Sequence, residues 1–204
     1  MKKNTYPGKF IVFEGLDASG QTTQANLLTG TLKENHKEVI LTKEPTGESE
    51  AGKHIRNVLD KKELLGPEEL QRLFAKDRKE HLEKTIIPAL QKGIWVVCDR
   101  YAFSSFAFGT AAGCNLEDLI ELNNEFLLPD ITFLLNVSPA VCMERIGKRG
   151  EPVTLFEEEQ KLQRVWRVYE TLPSKFQNMH VVDGEQPIEK VANNIWQITF
   201  PQLA

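Results

Sequence analysis

The sequence predicts an α/β fold of three layers, in which a parallel β-sheet is covered by helices on both faces. Short apolar runs alternate with long amphipathic stretches, which is the pattern of successive strand–helix units. The apolar runs are nearly continuous, as expected for strands that are buried on both faces. The predicted strands are Lys9–Phe13, Val39–Thr42, Ile94–Cys98, Ile131–Asn136 and His180–Val182.

Helices are expected between these strands, and the ends of two helices carry clear signals. Pro67 stands at a helix start, where its missing N–H costs little, and Gly93 follows the end of that helix. Ser138 precedes Pro139 and is suited to cap another helix through its hydroxyl. The predicted helices cover 21–34, 51–60, 67–91, 103–111, 116–127, 138–147, 156–176 and 187–198.

Length and composition indicate a single domain over residues 1–204, because 41% of the residues are hydrophobic and can form one sizeable core. The formal net charge of −4 argues against nucleic acid as a partner. Since no apolar run approaches the ~20 residues of a membrane-spanning helix, no membrane partner is expected either. Cys98, Cys114 and Cys142 lie far apart and indicate reduced, mostly buried thiols, as in a cytoplasmic protein.

A glycine-rich segment after the first strand predicts a phosphate-binding loop. Gly20 follows Gly15 by five residues, and Thr22 and Thr23 open the next helix, which fits the spacing G-x-x-x-x-G-K-[ST]. Glycines let backbone N–H groups turn toward a phosphate, and the helix N-terminus adds a positive dipole. Thr22 stands where a hydroxyl binds Mg²⁺. The candidate site for a nucleoside triphosphate is Gly15, Leu16, Asp17, Ala18, Ser19, Gly20, Gln21, Thr22 and Thr23.

The loop departs from its pattern at Gln21, where the rule requires lysine. Lysine contributes a positive charge beside the β- and γ-phosphates, whereas glutamine offers only a neutral amide donor. Without compensation, the loss amounts to roughly 2–4 kcal/mol of transition-state stabilisation. The alternative interpretation is a strand–turn–helix without a nucleotide role.

An acid and a base follow the third predicted strand, at the edge of a parallel sheet where ligands bind. Asp99 is suited to hold Mg²⁺ through water, and Arg100 is suited to clamp a phosphate with two N–H groups. Ser104 and Ser105 come next, near the start of a short helix. The alternatives are an Asp–Arg pair that caps the strand and two serines that cap the helix.

An aromatic ring and a guanidinium share one face of the predicted helix 67–91. Phe74 and Arg78 are four residues apart, and such a pair suits a nucleobase, because one side chain stacks and the other donates hydrogen bonds to the base edge. The alternative is a buried phenylalanine beside a solvated arginine.

Three basic residues lie in or just before the glycine-flanked turn at 147–152: Arg145, Lys148 and Arg149. Basic side chains on a loop that closes over a transferring phosphate serve phosphoryl transfer in other enzymes. A solvated charged face is the alternative interpretation of this segment.

Taken in order, these segments resemble the thymidylate kinase family of nucleoside-monophosphate kinases over nearly the whole chain. The resemblance implies the three-layer P-loop NTPase fold with a mobile lid at about 146–156. It also implies transfer of the γ-phosphate of ATP to dTMP with Mg²⁺, giving dTDP and ADP in dTTP biosynthesis, and a homodimer. The segments that carry it are Phe13-Glu14-Gly15-Leu16-Asp17, Thr42-Lys43-Glu44-Pro45, Leu73-Phe74-Ala75-Lys76-Asp77-Arg78, Asp99-Arg100-Tyr101 with Ser104-Ser105, Leu128-Pro129-Asp130 and Val182-Asp183-Gly184.

The resemblance further implies roles in dTMP binding for individual residues. Asp17 would meet the sugar 3′-hydroxyl, Phe74 would stack on thymine, and Arg78 would reach a base carbonyl. Arg100 would hold the acceptor phosphate, and Phe108 would lie close to the sugar 2′-carbon. The complete set is Asp17, Glu44, Pro45, Phe74, Arg78, Arg100, Ser104, Ser105 and Phe108, with Thr22 and Asp99 on the metal.

The catalytic charge is where this chain departs from the family. Ala18 stands where some members carry an arginine, which implies that the catalytic arginine comes from the lid. Arg149 is the first choice, with Lys148 in support and Arg145 on ATP; the catalytic set is Arg100, Arg149, Lys148 and Gln21. A positive charge is missing at Gln21 and another in the lid, so the resemblance implies either slow turnover or compensation by Lys148 and Arg149. Two alternatives stay open: a kinase of another (deoxy)nucleotide and an inactive nucleotide-binding protein.

Overall fold

The structure is a computed structural model that describes residues 1–149 and 159–203, with the backbone alone for Arg149 and Leu203. In chain order the elements are β1 Lys2–Lys3, β2 Phe10–Gly15, α1 Gln21–Glu34, β3 Val39–Lys43, α2 Glu50–Leu59, α3 Pro67–His81, a π-helical turn Leu82–Ile86, α4 Ile87–Gln91, β4 Trp95–Asp99, α5 Ala102–Ala111, α6 Leu116–Leu122, β5 Leu127–Leu128, β6 Ile131–Asn136, α7 Pro139–Arg149, α8 Glu159–Tyr169, α9 Leu172–Lys175, β7 Met179–Asp183, α10 Ile188–Thr199 and a 3-10 turn Phe200–Leu203.

Five of the described strands form one parallel sheet in the order β3–β4–β2–β6–β7, which confirms the predicted fold class. The central strand is β2, and its side chains from Phe10 to Phe13 are fully buried. Alternate residues of β2 face opposite sides of the sheet. Phe10 and Val12 belong to one core cluster, whereas Ile11 and Phe13 belong to another. The strand is apolar on both faces because helices cover both.

The carboxyl ends of β2, β3 and β4 lie at one edge of the sheet. Asp99 at the end of β4 pairs in register with Phe13 of β2 and with Lys43 of β3. The residues that follow the three strands are therefore brought together, although they are far apart in the chain. In parallel sheets this edge is where ligands bind.

All five predicted strands are confirmed, and their ends differ from the predicted ones by no more than two residues. The short parallel pair of β1 and β5 has no counterpart among the predicted strands; Lys2 pairs with Leu127, and Lys3 with Leu128. A strand of two residues has no measurable periodicity, so the sequence carries no signal for it.

Most predicted helices are confirmed, and so are their end signals. The ends of α1, α2, α5 and α10 lie within one residue of prediction, and α7 extends two residues further. Pro67 is in the first turn of α3, and Gly93 follows α4 with φ of +79°. The Ser138 hydroxyl accepts a long hydrogen bond of 3.5 Å from the Val141 N–H.

The predicted helix 67–91 is helical along its length, but it is not one α-helix. It changes at Leu82–Ile86 into a π-helical turn and continues as α4. Pro88 lies in the first turn of α4 and has no N–H to donate to the preceding turn. The π-helical turn, which begins directly after His81, is wider than an α-helical turn and accommodates the donor that Pro88 lacks.

Two other predicted helices are too long. The helix predicted for 116–127 ends at Leu122, because Asn123 turns its side-chain amide back onto the Leu119 carbonyl at 2.8 Å and ends the helical hydrogen bonding. Of the helix predicted for 156–176, residues 156–158 lie outside the described part, and the rest divides into α8 and α9. Pro173 lacks the N–H that a continuous helix would need there.

The remaining structural expectations concern the cysteines and membrane spans. Cys98, Cys114 and Cys142 are buried and free, as predicted. Across residues 1–149 and 159–203, no helix combines the length and the apolar character needed to cross a membrane.

Candidate active site

The phosphate loop, Gly15–Thr23, connects β2 to α1 in the predicted strand–loop–helix context. Gly15 has φ of +151°, and a Cβ there would lie 2.5 Å from the Ser19 hydroxyl, so glycine is needed for both conformation and space. Gly20 has φ of +103° and directly precedes α1 without a capping side chain. The first N–H groups of α1 are therefore available to an anion, as the sequence predicts.

Arg145 of α7 braces the outer side of the phosphate loop. Its Nη1 donates to the carbonyl oxygens of Ala18 and Ser19, both at 3.3 Å, and its Nη2 donates to the Gly184 carbonyl at 3.2 Å. In a trans peptide unit, the carbonyl of one residue and the N–H of the next point in opposite directions. Because the Ser19 carbonyl faces Arg145, the Gly20 N–H faces away from Arg145. Arg145 thus helps to hold the loop in this conformation.

Gln21 occupies the lysine position of the motif and is buried. Its Nε2 donates to the Gly15 carbonyl at 2.9 Å, across the loop that it follows. The amide is therefore a brace within the loop, and its second N–H is the group that can face a ligand.

Arg100 joins the phosphate loop to α5. Its Nη1 donates to the Gly15 carbonyl at 2.9 Å and to the Ser104 hydroxyl at 3.1 Å, and its Nη2 pairs with Asp17 at 2.6 Å. The Phe108 ring lies 5.4 Å from the guanidinium. Burial disfavours the charge, but nearby carboxylates, foremost that of Asp17, outweigh it and raise the pKa of Arg100 above its ordinary value. Arg100 is thus a permanent positive charge beside the loop.

Glu14 is a functional candidate beyond the predicted site residues. Its fully buried carboxylate accepts hydrogen bonds from the backbone N–H groups of Tyr101 and Ser104 at 2.9 and 3.1 Å. It also accepts from the hydroxyls of Ser104 and Tyr169 at 2.6 and 2.9 Å. Burial raises the pKa of Glu14, and these donors oppose the shift. An acid at the end of the most apolar strand was the signal that could have found it.

Thr22 and Asp99 lie together, as the metal prediction requires. The Thr22 hydroxyl donates to Asp99 Oδ2 at 2.5 Å. A hydroxyl and a carboxylate are oxygen ligands of the kind that Mg²⁺ prefers when phosphates and waters complete its shell. In the described part of the chain, no cluster of three His, Cys, Asp or Glu residues is placed to hold a metal without phosphate.

The second region is the arginine cluster, formed by Arg78, Glu44, His81, Asn123 and Ser105. Arg78 has a 1% exposed side chain and donates from Nε to Glu44 at 2.8 Å. Its Nη1 donates to Asn123 at 2.6 Å and its Nη2 to Ser105 at 3.2 Å. The alternative interpretation, in which Arg78 is a solvated side chain, is therefore excluded.

The cluster also contains His81 and Asn123, which are not among the predicted site residues. His81 Nδ1 lies 3.1 Å from Glu44, and its Nε2 lies 2.7 Å from the Thr42 hydroxyl. His81 follows Arg78 by three residues on one helix face, and this spacing could have suggested it. Asn123 lies 45 residues from Arg78 and has no local signal.

The segment after β3 is fixed beside the arginine cluster. The Glu44–Pro45 peptide is cis. The buried Asp77 accepts from the Thr46 N–H at 2.8 Å, and the Thr46 and Ser49 hydroxyls also donate to it. Asp77 directly precedes Arg78, so one helix holds both this segment and the guanidinium.

The two predicted aromatic residues have different surroundings. Phe74 is partly buried and packs against the small apolar cluster of α2 and α3 that includes Ile55 and Leu70. Phe108 is 6% exposed and makes an edge contact with the Tyr169 ring at 6.3 Å. Both residues lie on the helices that carry Arg78 and Ser105, namely α3 and α5.

The predicted lid lies only partly within the described residues. Residues 146–149 are the end of α7, while 150–156 lie outside the described part. Lys148 pairs with Glu144 at 2.5 Å on the exposed face of α7. For Arg149 the structure describes the backbone alone.

The phosphate loop and Glu44 of the arginine cluster lie at the carboxyl edge of the sheet, and Arg100 bonds to both the loop and α5. Backbone N–H groups suit the donor phosphates, and the fixed guanidinium of Arg78 suits the edge of a base. This arrangement defines a P-loop kinase that acts on a small nucleotide. A family model described as thymidylate kinase matches residues 13–195, and the chain belongs to the thymidylate kinase family.

Curated relatives match along almost the whole chain. A probable thymidylate kinase of Pyrococcus horikoshii is 40% identical over 202 residues, which cover 96% of this chain and 98% of the relative. One of Archaeoglobus fulgidus is 38% identical and covers 92% and 93%. A thymidylate kinase of Desulfotalea psychrophila is 35% identical and covers 93% of both chains.

Proposed function

We propose that this protein transfers the γ-phosphate of ATP to dTMP and releases dTDP and ADP. Membership of the thymidylate kinase family supports this activity. The observation that carries it is the placement of Arg100 between the phosphate loop and α5, which borders the arginine cluster through Ser105. A phosphoryl donor and a base-bearing acceptor would then meet at one guanidinium.

The donor site is the phosphate loop, with Arg145 as its brace. Backbone N–H groups of Gly15–Thr23 and the N-terminus of α1 would bind the β- and γ-phosphates. The Thr22 hydroxyl and the Asp99 carboxylate would hold Mg²⁺, directly or through water, and their contact supports this assignment. When bound, Mg²⁺ neutralises charge on the phosphates.

The acceptor site is the arginine cluster together with the aromatic residues of α3 and α5. Arg78 would donate to a carbonyl of thymine while Phe74 stacks on the ring, and Asp17 would meet the 3′-hydroxyl. Arg100 would hold the acceptor phosphate, because its hydrogen bond to the Gly15 carbonyl keeps the guanidinium beside the phosphate loop. Around them would lie Glu44, Pro45, Ser104, Ser105 and Phe108.

Catalysis would depend on positive charge around the transferring phosphoryl group, since phosphoryl transfer is governed by positioning and electrostatics. Arg100 would supply this charge from within the site, and Arg149 would supply it from the lid, with Lys148 in support. Gln21 would contribute its remaining amide N–H. The neutral amide supports slower turnover than a lysine would give.

A coupled assay that follows ADP release tests the function. ATP is offered with dTMP, dUMP, dCMP, dAMP and dGMP in turn, and the highest kcat/KM is expected for dTMP. A higher value for another monophosphate would make this a kinase of that nucleotide. Binding of ATP and dTMP by calorimetry without turnover would support an inactive nucleotide-binding protein, the second candidate that Gln21 favours.

We also propose an oligomeric state, a domain organisation and a cellular location for the enzyme. A homodimer is expected from family membership, and sedimentation equilibrium should then give twice the mass of the 204-residue chain. A single domain over residues 1–204 predicts one cooperative unfolding transition. A cytoplasmic location is supported by three buried free cysteines, which persist as thiols in a reducing compartment.

A further inference from the structure

A chain of buried polar contacts runs from β3 to Arg78: Thr42 contacts His81, His81 contacts Glu44, and Glu44 pairs with Arg78. We propose that His81 is a positioning residue that, through Glu44, fixes the Arg78 guanidinium and so sets which base edge the enzyme accepts. This inference rests on the proposed function, because it takes Arg78 as the group that meets the base.

Arg78 has only a few N–H groups left for a ligand. A guanidinium carries five N–H groups and no acceptor. Among the described residues, three of these groups donate to Glu44, Asn123 and Ser105, which leaves one on Nη1 and one on Nη2. The Tyr101 ring also lies 5.1 Å from the guanidinium carbon. The remaining donors therefore point in fixed directions and can be met only by acceptor atoms.

The His81 ring is held in one orientation. The Glu44 carboxylate can only accept, so Nδ1 of His81 donates to it, and Nε2 can then accept the Thr42 hydroxyl proton. The ring is held at both nitrogens, and its side chain is 3% exposed. Glu44 is thereby held at one oxygen by His81 and at the other by Arg78.

Glu44 is buried as well, with a side chain that is 3% exposed. Without His81, one carboxylate oxygen would lose its partner in a site closed to water, which is costly. The carboxylate would then move to find another donor and would loosen its contact with Arg78 Nε. A guanidinium that is held less firmly can rotate away from a base edge that offers it no acceptor, and the penalty against that base is then smaller.

The expected consequence is a loss of discrimination between bases. Thymine presents a carbonyl oxygen at its 4-position, which accepts from Arg78, whereas cytosine presents an amino group that would face donors. A fixed guanidinium penalises the second arrangement, because the donor directed at the 4-position meets an amino group instead of an acceptor. Positioning by His81 would therefore matter most for the preference for dTMP over dCMP.

Two matched substitutions separate the two ring contacts. In His81→Asn the side-chain amide nitrogen lies near the place of Nδ1 and keeps the Glu44 contact, whereas in His81→Gln it lies near the place of Nε2 and loses it. We measure kcat and KM with dTMP and dCMP, and the dissociation constants of both by calorimetry. His81→Gln should lower the dTMP/dCMP ratio by on the order of tenfold, chiefly through a higher KM for dTMP, while kcat stays near the wild-type value. His81→Asn should retain most of the ratio.

His54 provides the control, since it pairs with Glu63 at 2.8 Å on the partly exposed surface, and His54→Gln should leave the ratio unchanged. Glu44→Asp is a second test should His81→Gln not fold, because the shorter side chain cannot reach both His81 and Arg78. Equal losses for dTMP and dCMP, or equal behaviour of the Asn and Gln variants, would overturn the proposal.

The calorimetric ratio separates this inference from the proposed function. If the wild type binds dTMP but does not phosphorylate it, the function fails, and the binding ratios of the two variants still decide the role of His81. If the wild type binds dCMP as well as dTMP, there is no discrimination to position and the inference falls, although kinase activity can stand.

Discussion

The phosphate loop and the arginine cluster lie at the same sheet edge but are built in different ways. The loop presents backbone N–H groups, and beside it lies Arg100, whose side chain is 18% exposed. The arginine cluster closes Arg78 and Glu44 away from water, at 1% and 3% exposure. Phosphates carry their charge into the site, so the loop needs only oriented donors. A neutral base must be recognised by the direction of hydrogen bonds, so its partner must be immobile.

The largest expected effect comes from removing the charge that borders both regions. Arg100→Ala should lower kcat/KM for dTMP by about 10³-fold, because a charge-assisted donor beside the transferring group is lost. The backbone at this position has φ of +71°, and alanine is no worse suited to it than arginine, so the effect should come from the missing guanidinium and its contacts with Gly15, Asp17 and Ser104. Arg56→Ala on the exposed face of α2 is the control, and a similar loss in both variants would remove Arg100 from the chemistry.

The second effect belongs to the arginine cluster and appears in stability. Glu44→Gln leaves Arg78 charged and buried without its counter-ion, so the free energy of unfolding in urea should fall by about 3 kcal/mol. Lys84→Gln breaks the exposed pair with Glu80 and should leave the unfolding midpoint unchanged. Equal midpoints for the two variants would mean that the buried Arg78–Glu44 pair contributes no more to stability than the exposed Lys84–Glu80 pair.

The third effect concerns the missing charge of the phosphate loop. Gln21→Lys should raise kcat by about tenfold with little change in the KM for dTMP, because it adds a charge near the donor phosphates and none near the base. The Gly15 carbonyl that now accepts from Gln21 can accept from the ammonium instead. A kcat at or below the wild-type value would indicate that the surrounding charges already compensate for the glutamine.

The smallest expected effect is a change in pH dependence at Glu14. Burial raises the pKa of Glu14 above its ordinary value of 4.5, so the folded protein binds its proton more tightly than the unfolded chain does. Its contribution to stability is therefore greatest below pH 4.5 and is lost as pH rises through the folded-state pKa. Between pH 4.5 and the folded-state pKa, Glu14→Gln should lose less stability with rising pH than the wild type, by under about 1.4 kcal/mol per pH unit. Parallel curves from urea titrations would contradict this.

Within the phosphate loop, much of the site could be predicted, because its information is local. The spacing of Gly15, Gly20 and Thr22 defines the turn and the helix start without reference to the rest of the chain. The orientation of Gln21 could not be predicted, since a motif specifies a side chain but not the carbonyl to which it bonds.

Within the arginine cluster, the sequence supports less. Phe74 and Arg78 stand out by their helical spacing, but the partners of Arg78 come from three other segments of the chain, at Glu44, Ser105 and Asn123. The sequence pattern predicts a helix through Asn123, but the helix ends before it, at Leu122. The residue that stops α6 is therefore also the residue that holds Arg78, and no local pattern indicates both roles.

The sequence by itself determined the parallel sheet, the order of its helices, the phosphate loop and the family, because hydrophobic period and short-range spacing are sufficient for these. Only the tertiary structure decided that Glu14 joins β2 to α5 and α8, and that His81 and Glu44 hold Arg78. A buried charge takes as its partner whichever distant group packing brings within hydrogen-bond distance, and the chain records that choice only when it is folded.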